Sequence, residues 1–208
     1  QPEMAYGNVA GVEETLDKMA ALGLSVVRGI GFNDGAGDPA AIQTAPGVFN
    51  EAAFVALDRA VAAAKARDIR LILYLTNYWT AYGGVLRYVA WLTNGVPSES
   101  DKARFFTDET LKGWYKNYVA ALLERTNTAT GIKYKDEPAV LAWELGNELR
   151  NPGGRDALLA WSAEMAAFIK QIDGNHLVAD GGEGFDDEPD LYEGISNDSP
   201  VSGGAGCS

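Results

Sequence analysis

Short apolar runs alternate with segments of helical periodicity along this chain, and that alternation confines it to a parallel sheet with helical crossovers. Leu24 to Ile30, Ile69 to Leu75, Val140 to Gly146 and His176 to Asp180 read as strands. Between and around them run amphipathic patterns. Val12, Leu16, Met19 and Leu22 share one helical face that stops at Gly23. Asn50 is placed to cap a helix that buries Phe54, Leu57 and Val61. Asp108 is placed to cap one carrying Leu111, Trp114, Tyr115, Tyr118, Val119 and Leu122, and Leu158, Trp161, Met165, Phe168, Ile169 and Ile172 mark a last one.

Connections after helices are mostly short, whereas those after strands are long and rich in Gly, Asn and aromatics: Gly31 to Gly47, Asn77 to Thr107, Arg150 to Arg155 and Gly181 to Asp190. Long segments at the C-terminal ends of strands are where α/β folds build sites. Neither Gly-x-Gly-x-x-Gly nor Gly-x-x-x-x-Gly-Lys-Ser/Thr is present, which favours a barrel over a doubly wound sheet. A complete (β/α)8 barrel takes about 250 residues. This chain has 208 residues and four clear strands, so the expectation is an incomplete TIM-type barrel of about four β/α units over 1–197, with a flexible Gly/Ser-rich tail at 198–208.

A net charge of −12 argues against nucleic acid or anionic membrane as partner and leaves neutral substrates open. Cys207 is the only cysteine and His176 the only histidine, so an internal disulfide and a Cys- or multi-His metal site are both excluded, and no metal or other cofactor is expected. No run of about 18 apolar residues suggests a membrane span. The chain opens at Gln1-Pro2-Glu3 without a basic-then-apolar leader, as a processed or trimmed chain would.

The run Val140 to Glu148 is an apolar strand that ends abruptly on Asn147-Glu148. A carboxylate at the tip of a buried strand is costly unless it is used, and barrels carry their catalytic side chains at that tip. Strict alternation puts Ala142, Glu144, Gly146 and Glu148 on one face and Trp143, Leu145 and Asn147 on the other. Glu148 is therefore the candidate general acid, with a plain helix-start or loop carboxylate as the alternative. Glu144 reads as an interior ion-pair partner for Arg28, because a lone Arg in an apolar strand must be paired.

Trp143-Glu144-Leu145-Gly146-Asn147-Glu148-Leu149-Arg150 resembles the strand-four signature of glycoside hydrolase family 5, in particular its eukaryotic-type endo-β-1,4-mannanases, whose usual form is Trp-Glu-Leu-Ala-Asn-Glu-Pro-Arg. Val26-Val27-Arg28 with Gly31-Phe32-Asn33-Asp34-Gly35, Asn77-Tyr78-Trp79 with Tyr82-Gly83-Gly84, Arg125-Thr126-Asn127-Thr128 and Glu183-Gly184-Phe185 extend the similarity from about Val12 to Tyr192. The resemblance implies a retaining, secreted hydrolase of mannan-type polysaccharide. It implies Glu148 as acid/base beside Asn147, Arg28 as the strand-two Arg near the nucleophile, and Asn77, Trp79, Arg150 and Glu183 along the substrate cleft. A catalytically silent carbohydrate-binding homologue and a β-glucan hydrolase are the alternatives. Leu149 stands where Pro is usual, Gly146 where Ala is usual, and Gly29-Ile30 where Thr-Trp usually follows the Arg. The resemblance also places the nucleophile on a later strand, so this chain is expected to hold only the acid/base half of the site. Its expected partner is the missing remainder of the barrel.

Overall fold

The computed structural model describes residues 8–35 and 37–183; the 198–208 tail lies outside them. Four strands form one parallel sheet in the order β1-β4-β5-β6: β1 Val26–Ile30, β4 Arg70–Tyr74, β5 Val140–Glu144 and β6 Leu177–Ala179. Each lies within an expected apolar run, shortened at one end or both. Helix α1 (Val9–Ala21) precedes β1, α2 (Glu51–Lys65) precedes β4, α5 (Glu109–Glu124) precedes β5 and α6 (Arg155–Ile172) precedes β6. Asn50 caps α2 through Ala52 N, and Asp108 caps α5 through Thr110 N and Leu111 N. Gly23 follows α1 at φ +75°, a backbone that costs other residues more than glycine.

The register shows which face does what. Leu73 and Trp143 are matched across β4 and β5 and are both fully buried, as are Tyr115, Tyr118 and Trp161 of the covering helices. The opposite face carries the rows Arg28–Ile72–Ala142–Leu177 and Ile30–Tyr74–Glu144–Ala179. Val26 and Leu177, near the start of the two edge strands, are 46% and 65% exposed. One face is thus sealed by helices and the other open, the layout of an incomplete (β/α) barrel seen from inside.

The expected long loops contain more structure than their composition suggests. Segment 31–47 leads into a small antiparallel hairpin, β2 (Gln43–Ala45) with β3 (Val48–Phe49). Segment 77–107 holds α3 (Gly84–Thr93), a 3₁₀ turn (Glu99–Lys102) and α4 (Ala103–Thr107). Helix α3 follows Gly83 at φ +96° and has no side-chain cap, so the usual start signal is missing. Its buried face is the short Val85, Tyr88, Val89 triplet. Among the described residues no helix is long and apolar enough to cross a membrane.

Candidate active site

Arg28 sits mid-strand on the open face of β1. Its Nε and Nη2 both reach Glu144 Oε2, at 2.7 and 2.6 Å, so the expected ion pair is present. Its Nη1 donates to Asn147 Oδ1 at 2.8 Å, and its guanidinium lies 4.7 Å from the centre of the Tyr74 ring. Burial pushes the Tyr74 phenol up to about 12 against the pull of that guanidinium, which keeps Tyr74 a neutral wall.

Alternation along β5 would send Asn147 to the opposite face from Glu144, yet both meet Arg28. The reason is local: the strand ladder ends at Glu144, and the chain beyond it is held from both sides. Asn147 N donates to Thr76 O, Tyr78 N donates to Asn147 O, and Glu148 N donates to Gly181 O at 2.9 Å. Glu148 itself is at φ +54°. A bulky residue in the left-handed region is an outlier that persists only where its surroundings over-determine it, and such residues cluster at functional sites. The two-residue alternation stops where the strand ladder stops.

Asn77 is buried and fully engaged. Its Oδ1 accepts from Asn147 Nδ2 at 3.0 Å and from Trp79 N at 3.2 Å, and its Nδ2 donates to Ala81 O. It ties the tip of β5 to the loop after β4. Trp79, 43% exposed, donates its indole Nε1–H to Glu148 Oε2 at 2.5 Å. Arg150 grips Glu183 with Nε and Nη2, both at 2.5 Å, and its guanidinium stands 5.3 Å from the Trp79 ring. The Glu183 partner holds the Arg150 guanidinium above its ordinary value. All the nominated residues thus converge on one patch at the C-terminal ends of β1, β4, β5 and β6.

Two contributors had escaped the sequence reading. Tyr74 was hidden in an apolar run, although its register with Glu144 follows once β4 and β5 are paired. Gly181, at φ +77°, supplies the carbonyl that holds Glu148; a Cβ there would lie 1.9 Å from Gly146 O and 3.2 Å from Glu144 Oε2. Nothing in a Gly-Gly pair of a glycine-rich segment announces that contact.

Two other titratable clusters are structural. Trp143 Nε1 and His176 Nδ1 both bond Asp173 Oδ2 at 2.6 Å behind the sheet, and Arg125, Thr128 and Tyr134 converge on Asp58 on the helical side. No group of three or more His, Cys, Asp or Glu able to hold a metal occurs among the described residues.

A family model described as GH family 5 beta-mannosidase-like matches residues 3–199. A putative mannan endo-1,4-beta-mannosidase 5 of rice (Oryza sativa subsp. japonica) is 46% identical over 177 residues, which are 84% of this chain and 35% of that protein. Mannan endo-1,4-beta-mannosidase 2 of Arabidopsis thaliana is 44% identical over 84% of this chain and 40% of its own length. Among solved structures, the Rhizomucor miehei endo-1,4-beta-mannanase superposes with a TM-score of 0.81 at 32% identity, covering 96% of this chain and 58% of that one. The Thermotoga petrophila endo-1,4-beta-D-mannanase gives 0.79 at 37%, covering 88% and 53%. The chain therefore spans less than half the length of these plant relatives. With a family model matched over nearly its whole length, and the strand-tip cluster in place, the chain belongs to the β-mannosidase-like group of glycoside hydrolase family 5.

Proposed function

We propose that this chain is the acid/base half of a retaining endo-β-1,4-mannanase. The observation that carries the reading is Glu148: a half-buried carboxyl at the mouth end of a barrel strand, held in a left-handed backbone conformation, with Trp79 Nε1–H on its Oε2. In the first step Glu148 gives its proton to the glycosidic oxygen as the anomeric carbon–oxygen bond breaks and a nucleophilic carboxylate bonds to that carbon. In the second step Glu148 takes a proton from water, which attacks the same carbon and frees the carboxylate. Asn147, fixed by Arg28 and Asn77, presents an amide to a sugar hydroxyl. Trp79, Arg150 and Glu183 line the leaving-group side.

The nucleophile is supplied by sequence outside these 208 residues. Retaining chemistry needs a second carboxylate about 5–5.5 Å from the first. The nearby Glu144 and Glu183 are each committed to an arginine. The chain alone therefore has little hydrolase activity, and the remainder of the barrel is its partner. Mannan-type polysaccharide is the substrate, supported by the activity for which the relatives are named. The complete enzyme acts outside the cell, where such polymers are met.

The test is a reducing-sugar assay on mannan, glucomannan and β-glucan, run with this chain and with a version extended to the length of its relatives. In the extended enzyme Glu148→Gln loses about 10²–10⁴-fold in turnover. Turnover within about twofold of the parent on mannan removes Glu148 from the role, and a preference for β-glucan reassigns the substrate.

A further inference from the structure

Lys102 is 1% exposed, and the chemistry above makes no use of it. A lysine is almost never fully buried unless it is paired, because its ammonium loses hydration. Here the partner is Glu99, at 2.6 Å, whose side chain is itself 69% exposed. The ammonium's other neighbour is the face of Tyr78, 3.7 Å from the ring centre. The local structure is organised to put it there. Ser98 and Asp101 form a capping box around the 3₁₀ turn Glu99–Lys102, with Ser98 N and Oγ both donating to Asp101 Oδ2 at 2.7 and 2.6 Å. That turn runs directly into α4, whose Phe105 is buried against Tyr88 and Trp161.

What Lys102 supports is aromatic, and it leads to the site. Tyr78 meets Trp79 edge to face at 5.2 Å. Lys102 Nζ is also 5.8 Å from the Trp79 ring centre, inside the range of about 6 Å over which a cation is attracted to a π face. Trp79 in turn donates its indole N–H to Glu148. A 3₁₀ turn, a buried cation, an aromatic pair and a carboxyl therefore form one continuous contact chain.

We propose that Lys102 is a positioning residue for Glu148, acting through Tyr78 and Trp79: it anchors the aromatic pair so that the indole N–H stays aimed at the carboxyl. The role deepens the reading of Glu148 as proton donor and rests on it. The contact chain can nevertheless be measured without any turnover. ¹⁵N-tryptophan labelling of the full chain gives one indole signal for each of its five tryptophans, and Trp79→Phe identifies that of Trp79 by its loss. The Trp79 signal moves with pH, and the movement vanishes in Glu148→Gln. In Lys102→Met the Trp79 signal shifts more than the other four and its pH response falls by roughly twofold or more, whereas Lys102→Arg keeps both. If Lys102→Met disturbs all five signals, Glu99→Gln, which changes only the mostly exposed partner, decides: a weakened Trp79 response upholds the role. A Trp79 signal whose position and pH response are unchanged in Lys102→Met, or in Glu99→Gln where that variant decides, overturns it. Failure of the Glu148→Gln turnover test with the signal behaviour intact would remove the catalytic reading and leave the contact chain standing.

Discussion

Gly146→Ala probes the two departures from the usual strand-four octet, because the structure packs them against each other. A Cβ on Gly146 would stand 2.8 Å from Leu149 Cδ2, from Leu149 Cγ and from Thr76 Cγ2. Leu149 is 5% exposed and has little room to retreat. Overpacking of this kind costs about 1–3 kcal/mol, offset by about 0.4–1 kcal/mol from the stiffer unfolded chain. The net expectation is a loss of about 1–2 kcal/mol. Leu149→Ala alone costs about 2–5 kcal/mol for the cavity. In that background two of the three close contacts are gone and only the Thr76 methyl remains, so the methyl added by Gly146→Ala costs about half a kcal/mol or less. The two substitutions should therefore couple favourably by about 0.5–2 kcal/mol, at or above the roughly 0.3–0.5 kcal/mol within which independent sites add. Urea unfolding of the four proteins, with unchanged denaturant slopes, measures the cycle. Equal cost of Gly146→Ala in both backgrounds would refute the idea that a leucine at 149 requires a glycine at 146.

Three further outcomes follow from the same geometry. Gly181→Ala must displace backbone, since its Cβ would lie 1.9 Å from Gly146 O; a loss of more than about 3 kcal/mol in urea unfolding is expected, and a loss under about 1 kcal/mol would mean that the latch on Glu148 is loose. Asp34 lies buried under the loop after β4, bonded to Gln43, and burial pushes its carboxyl up to about 8. The folded state then holds a proton that the unfolded chain releases near its ordinary 3.8, so stability falls as pH rises from about 4 to about 8. Asp34→Asn should flatten that fall when unfolding is followed at about pH 5 and about pH 8, and an unaltered pH dependence would exclude Asp34 as its source. Arg28→Met in the extended enzyme should lower kcat/KM on mannan by about 10²-fold or more, since it frees both Glu144 and Asn147; unchanged kinetics would show that Arg28 is not needed to hold them.

The sheet was legible because each strand is a block of aliphatic residues and the covering helices carry apolar stripes with Asn50 and Asp108 at their starts. What was not legible is where rule-following stops. Period-two alternation is consistent with the Arg28–Glu144 pairing and then misplaces Asn147, because the strand ladder has already ended at Glu144. The start of α3 in segment 77–107 read as loop because the signal before it, Tyr82-Gly83-Gly84, is a run of positive φ angles rather than a helix cap. The residues that brace the site, Gly181 through its carbonyl and Asn77 through its side-chain amide, act between different strand tips. Such contacts have no signature within either segment.

The Arg28–Glu144 pair also shows what the site is organised for. Glu144 keeps only 11% of its side-chain surface and Arg28 37%, so the pair is partly desolvated. Such pairs gain little net stability over well-packed apolar residues, whereas removing one partner strands the other. Stability alone therefore gives no reason to keep a guanidinium on the open face of a strand otherwise built from aliphatic residues. The third bond, from Arg28 Nη1 to Asn147 Oδ1, does give one. It converts the ion pair into a fixed lever on the residue next to Glu148, and Asn77 holds the same amide from the neighbouring strand. Two strands thus fix Asn147 and a third, through Gly181, fixes the backbone of Glu148. The carboxyl and amide are fixed by the protein itself, which is the preorganisation that the proposed acid/base role requires.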